Sequence, residues 1–596
     1  MDVWKKCFQA VMDFIEIYMP MCWFILLFVA FILQIISRYI FNNPLVWPYE
    51  LAQISYVWII TLGCCYAQRT DDNIVFSVIY ELVGEKVRRL FRFLQDILIV
   101  GLLVYLVPPA LEFTGFILPG TARFSRFLWD LYIWDFSCFR LLPLSGTAGT
   151  WQAVIRNFGK EERQYEPCMM ISLGLLVVCF VIRMPIAIGM IISSTLYLAV
   201  KGMDPSVVVE IFTSKMYNNF ILLAVPLFIF AANIMNSSKV TDKIFDFSKV
   251  LVGRWKGGLG HVNVIASLIF SGMTGSAVAD ASGLGIMEIE AMRKEGYDDG
   301  FSAAITAGSA VIGPIFPPSI PLVIYGVIAG ASIGNLFLAG MVPGIILALA
   351  LCIYVCYIAN KRNYPSGRKY AGMEFIKMTV SAVPALLTPI ILLMGIYTGI
   401  MTATEAGAVA ALYALLISVF AYRSITLSEF IQVLKNTVKS TGQIGIMLGA
   451  AYVFSYVIAV ENLPSLAGNL ILSFATTKVS FLVFVNILLF ILGDAAGFSC
   501  FTAGIAAYPM SDSPVLWYRH GSFRGGVYAE YHDWTLYTAF WHAIIYCDRN
   551  QRREDEHHHK RSHAHGFCDG PGADTCNVCA GCHYVAAETL WPIKFL

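Results

Sequence analysis

Apolar residues fill this chain in long runs, and the polar positions collect between them. A helix needs about 20 predominantly apolar residues to cross a bilayer. On that criterion the pattern predicts spanning helices near 19–37, 52–67, 92–110, 169–200, 219–236, 303–331, 335–359, 379–398, 402–421, 441–459 and 468–493. Lys5 and Lys6, ahead of the first run, favour a cytoplasmic N-terminus. The first run continues into a long helix without a small-residue cleavage site, so it reads as a retained helix rather than a secretory signal.

Two runs are interrupted in a way a plain spanning helix is not. "NVIASLIFSGMTGSAVADASGLG" (263–285) starts as a helix and gives way to small polar residues around Asp280. "ITAGSAVIGPIFPPSIPLVIYG" (305–326) carries Gly313-Pro314 and Pro317-Pro318 at its middle. Proline removes a backbone donor and clashes with the preceding turn, so the second run must unwind there. Unwound backbone at membrane depth is tolerated only inside protein or beside an aqueous cavity. Such broken helices expose carbonyls to a cation and amides to an anion in many secondary transporters. The plainer alternative is a kinked helix whose small residues ease packing. A weaker echo follows in "GIMTATEAGAVAALYALLISVF" (399–420) and "VKSTGQIGIMLGAAYVFSYVIAVENLP" (438–464), with Glu405 inside an apolar region. A carboxylate there has either a role or a snorkelling position near a helix start. Two halves with corresponding interruptions suggest an inverted repeat.

Composition agrees with the pattern. The 596 residues are 58% hydrophobic and 14% charged with a net charge of +1, which sets the chain apart from soluble domains. It also offers no case for nucleic acid or an acidic partner. Most cysteines upstream of the tail, such as Cys22, Cys179, Cys352 and Cys356, sit singly in apolar runs as small apolar side chains. No constellation for hydrolytic or transferase chemistry stands out, so the chain reads as a non-enzyme without a cofactor.

The stretch "GMTGSAVADASGLGIMEIEAMRKEGYDDGFSAAITAGSAVIGPIFPPSIPLVIYGVIAGASIGNLFLAGMVPG" carries G-x-[ST]-G-S-x-x-A-D and G-P-I-x-P-P-S-I, and "VPLFIFAANIM" precedes it. With these motifs, residues 169–493 resemble the large, M-type subunit of tripartite ATP-independent periplasmic (TRAP) transporters. Near the N-terminus, "ISRYIFNNPLVWPYELAQISYVWIITLGCCYAQRTDDNI" (36–74) is similar to the small, Q-type subunit, through R-Y-x-F-N-x-P-L-x-W-x-x-E. The resemblance implies a fused permease: a small subunit over 1–120, a damaged or divergent fourth helix and junction over 121–165, and a large transport subunit over 166–493. It implies an all-α, elevator-type fold with inverted repeats, re-entrant hairpins and broken helices, in the bacterial inner membrane. It further implies Na⁺-coupled import of an organic acid, such as a C4-dicarboxylate or a sialic acid, delivered by a periplasmic substrate-binding protein. A second reading is a carboxylate transporter that works without a binding protein.

Carried over by position, Thr274, Gly275, Ser276 and Asp280 fall on the first hairpin's motif, and Gly313, Pro314, Pro317, Pro318 and Ser319 on the facing broken helix. Thr402, Thr404 and Glu405 match the start of the second repeat, and Ser440 and Thr441 the second hairpin's tip. Na⁺ is a hard cation suited to the hydroxyls and carbonyls of such segments. Arg38, Trp47 and Glu50 of the small subunit take structural parts, with an Arg–Glu pairing.

From about residue 494 the pattern changes. Nine of the ten histidines lie beyond residue 519, and neither a helical nor a strand period persists. "CAGCH" at Cys579, Cys582 and His583 fits a c-type haem attachment, and with Cys576 it could pass for part of a zinc site. A membrane-anchored haem protein is therefore a third reading. The resemblance instead calls for a broken helix and a closing helix at this place. Read one nucleotide later, Trp534 and Trp541 must both become glycine, seven positions apart as in the family's G-x-x-T-P-P-x-G segment. We expect 494–596 to be an out-of-frame tail and its cysteine motif to be spurious.

Overall fold

A computed structural model describes residues 9–117 and 165–463, apart from 71–72, 77–79, 81–82, 239, 369, 371 and 462. The expected helix 468–493, the junction around 121–164 and the tail with Cys579, Cys582 and His583 lie outside the described residues.

The described residues are helical, with only two isolated β-bridges among them, Val75 to Pro185 and Lys256 to Ser366. The first part contains α1 (Met19–Tyr39), α2 (Trp47–Arg69) and α3 (Glu85–Ile117). Then come α4 (Tyr165–Val181), α5 (Ile186–Val200), α6 (Ser206–Asn218), α7 (Ala224–Ser237) and α8 (Val240–Val252). The broken region forms α9 (Gly258–Thr274), α10 (Ala277–Lys294), α11 (Asp299–Ala310) and α12 (Ile320–Ala329). α13 (Ile333–Lys361), α14 (Gly372–Tyr397), α15 (Ala403–Leu416) and α16 (Leu427–Val460) follow. Seven helices among the described residues are long and apolar enough to cross a membrane, six of them α1, α3, α13, α14, α15 and α16 with their short extensions. The seventh is α7 with the 3₁₀ turn Phe220–Leu223 before it.

Local sequence explains most boundaries. α2 opens with proline in its first turn, where its missing N–H costs nothing, while Pro20 of α1 follows the π-helical turn Phe14–Tyr18 that leads into it. Between them Asn42 takes φ +50°, a left-handed conformation asparagine tolerates, and the Ser37 hydroxyl donates to the Asn43 carbonyl. Expected helix 169–200 is in fact two helices. The chain turns at Arg183 (φ +64°) and Pro185, because proline cannot continue the preceding helix. Expected helix 303–331 likewise divides into α11 and α12.

The reverse correction applies to 438–464. Ser440 and Thr441, expected at a hairpin tip, lie inside the unbroken 34-residue α16. The glycines there serve contact rather than interruption. A Cβ on Gly442 would stand 2.3 Å from the Gly63 carbonyl carbon of α2, and one on Gly445 would stand 2.4 Å from Ile60 Cγ1. Close backbone approach is how helices associate where lipid is as apolar as the side chains.

α7 is buried on nearly every face, as an all-round apolar helix should be, and it packs on α15, α16, α9, α12, α8 and α10. One hydrophobic core joins α1 and α2 to the helices from α7 onward. Phe24 and Phe28 of α1 meet Phe230 of α7 edge-on, at ring distances of 4.9 and 5.2 Å.

Candidate functional site

The site begins with two helix breaks that face each other. α9 stops at Thr274, and Gly275 caps it at φ +60°, a left-handed residue that ends helices because it carries no Cβ. Ser276 then opens α10, its hydroxyl accepting from the Ala279 N–H. In the second break, Ser319 caps α12 in the same way, accepting from Leu322 N at 3.3 Å. The Ser319 hydroxyl donates to the Pro314 carbonyl at 2.5 Å, and the Pro317–Pro318 bond is cis.

Glycines set how near the breaks come. A Cβ on Gly275 would lie 2.5 Å from the Pro318 carbonyl oxygen, and one on Gly313 would lie 2.8 Å from Asp280 Oδ2. The nine first-repeat candidates therefore converge on one place. The Thr274 hydroxyl donates to Asp280 Oδ1. Thr274 and Asp280 are 1% and 2% exposed, and Asp280 Oδ2 has no hydrogen-bond partner among the described residues. The N-termini of α10 and α12 bring their positive dipole ends to the same place. A buried carboxylate oxygen, a hydroxyl and the backbone carbonyls of the unwound segment around Gly313 make a hard-oxygen environment. It can hold a small cation and orient an anion against helix N-termini.

The second-repeat candidates are elsewhere in the fold. Thr402 and Glu405 form a reciprocal capping box at the start of α15. Glu405 Oε2 accepts from Thr402 N and Oγ1, both at 2.9 Å, and from the Tyr39 hydroxyl at 3.3 Å. Glu405 Oε1 accepts from Arg38 Nη1 at 2.9 Å. The Arg38 partner is thus in the large-subunit segment, and both carboxylate oxygens of Glu405 are engaged. Thr404 is buried beside it, while the Thr441 hydroxyl donates to the Thr437 carbonyl at 2.7 Å within α16.

This arrangement predicts an asymmetry between partners. Arg38 is half exposed and Glu405 is 4% exposed, so Arg38→Ala strands a buried charge. We expect it to cost about 1.5–3 kcal/mol, read as a lower melting temperature in detergent. Adding Glu405→Gln should recover part of that loss. A double variant less stable than Arg38→Ala by the full single-variant penalty of Glu405→Gln would refute the pairing.

Sequence reasoning missed a polar group behind the hairpin tip. Asn263, Glu288, Thr306, Ser267 and Ser309 are all buried and hydrogen-bonded in series. Asn236 of α7 was missed too. Its Oδ1 lies 2.5 Å from where a Cβ on Gly283 would stand. The one available signal was spacing, since Glu288 sits about two turns beyond Asp280 on α10. Among the described residues no three His, Cys, Asp or Glu side chains gather as a metal-binding group.

Many spans, two facing helix breaks and a buried acid between them define a polytopic membrane protein with an ion-competent interior. Comparison with known proteins is specific. Residues 173–505 match the tripartite ATP-independent periplasmic transporter, DctM component, and residues 27–156 match the DctQ component. The chain belongs to this family, as a fused DctQ–DctM permease. It is a multi-pass inner-membrane transport protein rather than an enzyme. It is 46% identical over 276 residues to the sialic acid TRAP transporter large permease protein SiaM of Vibrio cholerae, covering 46% of this chain and 65% of that protein, just under two thirds of its length. It is 33% identical over 506 residues to the sialic acid TRAP transporter permease protein SiaT of Haemophilus influenzae, 79% of this chain and 82% of that one. Identity to the isethionate TRAP transporter permease protein DctMQ of Oleidesulfovibrio alaskensis is 27% over 468 residues, 75% of this chain and 74% of that one. Permeases of the family work with a periplasmic substrate-binding protein.

Proposed function

We propose that this chain imports an organic acid, a sialic acid, a C4-dicarboxylate or a similar carboxylate, driven by a Na⁺ gradient and fed by a periplasmic substrate-binding protein. The observation that carries the reading is the meeting of the Thr274–Asp280 segment with the break at 311–319, where a buried carboxylate oxygen has no hydrogen-bond partner among the described residues. Na⁺ binds among Thr274, Gly275, Ser276, Asp280 and the carbonyls of Gly313, Pro314, Pro317 and Pro318, with Ser319 holding the loop. The substrate carboxylate lies against the freed amides. α9 has 17 residues, a rise of about 26 Å against about 30 Å of hydrocarbon, which favours a re-entrant hairpin; its motion as an elevator is what the family resemblance implies. Relatives named for sialic acid and for C4-dicarboxylate support the substrate class.

Proteoliposomes holding the full chain test this. With an inward Na⁺ gradient, radiolabelled sialic acid or succinate should accumulate only when its substrate-binding protein is added outside. Equal uptake in choline would overturn Na⁺ coupling, and equal uptake without the binding protein would favour the binding-protein-independent reading.

A further inference from the structure

We propose that the first hairpin holds a second small-cation site, one Na⁺ seated at Glu288 between α9, α10 and α11. The proposal rests on the Na⁺-driven reading above and adds an ion to it.

Glu288 is 1% exposed. Its Oε2 accepts from Asn263 Nδ2 at 2.6 Å, and the other proton of that amide goes to Thr306 Oγ1 at 2.7 Å. Asn263 Oδ1 accepts from Ser309 Oγ at 2.7 Å, and Ser267 Oγ donates to Ser309 Oγ at 3.0 Å. Within this series only the Asn263 amide donates to the carboxylate, and it reaches one of the two oxygens. Its partner Oε1 has no hydrogen-bond partner, and no Lys, Arg or His nitrogen among the described residues lies within 4.0 Å of the group. Among its neighbours, α9 brings His261, α11 brings Asp299 at its start and α7 brings no titratable side chain. On α10 itself the other charged groups are Asp280, Glu290, Arg293 and Lys294.

An ionised carboxylate buried without a counter-charge costs several kcal/mol. Proteins meet that cost by pairing the charge or by coordinating a metal. The side chains here supply only hard oxygens: a carboxylate, an amide carbonyl and three hydroxyls. Such a set suits an alkali cation and disfavours zinc, copper or iron. One carboxylate balances one monovalent charge. A proton on Oε1 would also neutralise it, and the count of bound Na⁺ against protons taken up separates the two.

The amide of Asn263 lets the same cluster serve both states. Its oxygen and nitrogen exchange places on a half-turn about the last side-chain bond. In the orientation observed, N–H groups face Glu288 and Thr306, which suits an empty site. Turned, Oδ1 faces them as an ion ligand, and Nδ2 donates to Ser309 Oγ. An ion held there ties both hairpin arms to α11.

Binding of ²²Na⁺ to the purified full chain decides the matter. Wild type should bind a definite number of ions, Glu288→Gln one fewer, and Ser309→Ala the full number at about tenfold weaker affinity for one of them. Melting temperatures in choline chloride report whether each variant folds. If Glu288→Gln fails to fold, the Ser309→Ala affinity shift stands as the test, and its absence overturns the site. An unchanged count in folded Glu288→Gln overturns this proposal alone, as does a variant that keeps its Na⁺ but loses a proton taken up on binding. Wild type that binds no Na⁺ overturns both this site and the Na⁺-driven reading.

Discussion

Asp280→Asn is expected to abolish Na⁺-driven uptake while leaving the melting temperature in choline close to that of the wild type. The substitution keeps the volume and keeps an oxygen for the Thr274 hydroxyl to donate to. It removes the charge from an oxygen that faces Gly313 and has no hydrogen-bond partner among the described residues. A unit charge about 4 Å away at an effective dielectric near 20 is worth about 4 kcal/mol, which corresponds to about a 1,000-fold loss of Na⁺ affinity. The measurement is uptake against external Na⁺ in proteoliposomes. A variant with wild-type rate and unchanged Na⁺ dependence would remove Asp280 from the ion site.

The second large effect is on assembly. Gly442→Val places a branched side chain where a Cβ alone would stand 2.3 Å from the Gly63 carbonyl carbon and 2.4 Å from Cys64 N. Both are backbone atoms, so no rotamer change relieves the clash and α2 and α16 must separate. Overpacking costs typically about 1–3 kcal/mol, and we expect the upper end of that range. The readout is a melting temperature lowered by several degrees and loss of a single size-exclusion peak. Gly101→Val is the control, since nothing lies within 4 Å of that Cβ position. Equal behaviour of the two variants would mean the crossing contributes nothing.

Much of the architecture was legible in the chain because bilayer-length apolar runs are long signals. The break at Gly275–Ser276 and the one around Pro314, Pro317 and Pro318 were visible for a different reason. Glycine and proline alter the backbone locally, whatever surrounds them. The turn at Arg183 and Pro185 went unseen because a hydropathy run of about 30 residues averages over one proline. Gly442 and Gly445 misled in the opposite direction. The same residue that frees a backbone also lets another backbone approach, and only the position of Gly63 tells which applies. The partners of Glu405 and Glu288 could not be read at all. Arg38 and Glu405 are 367 residues apart, and Asn263 reaches Glu288 only once Gly275 has turned the chain back. Spacing within a helix reports on one face, whereas these pairs are made between helices.

The shared core has a consequence for how such a protein can be encoded. Phe24, Phe28 and Gly63 on one side and Phe230, Glu405 and Gly442 on the other are held by packing, an ion pair and a backbone crossing. None of these contacts needs the peptide bond that joins the segments. Two separately translated polypeptides, divided in the junction, should find each other in the bilayer and copurify. Whether one gene or two carries this permease is then a question of gene arrangement, to which the folded assembly is largely indifferent.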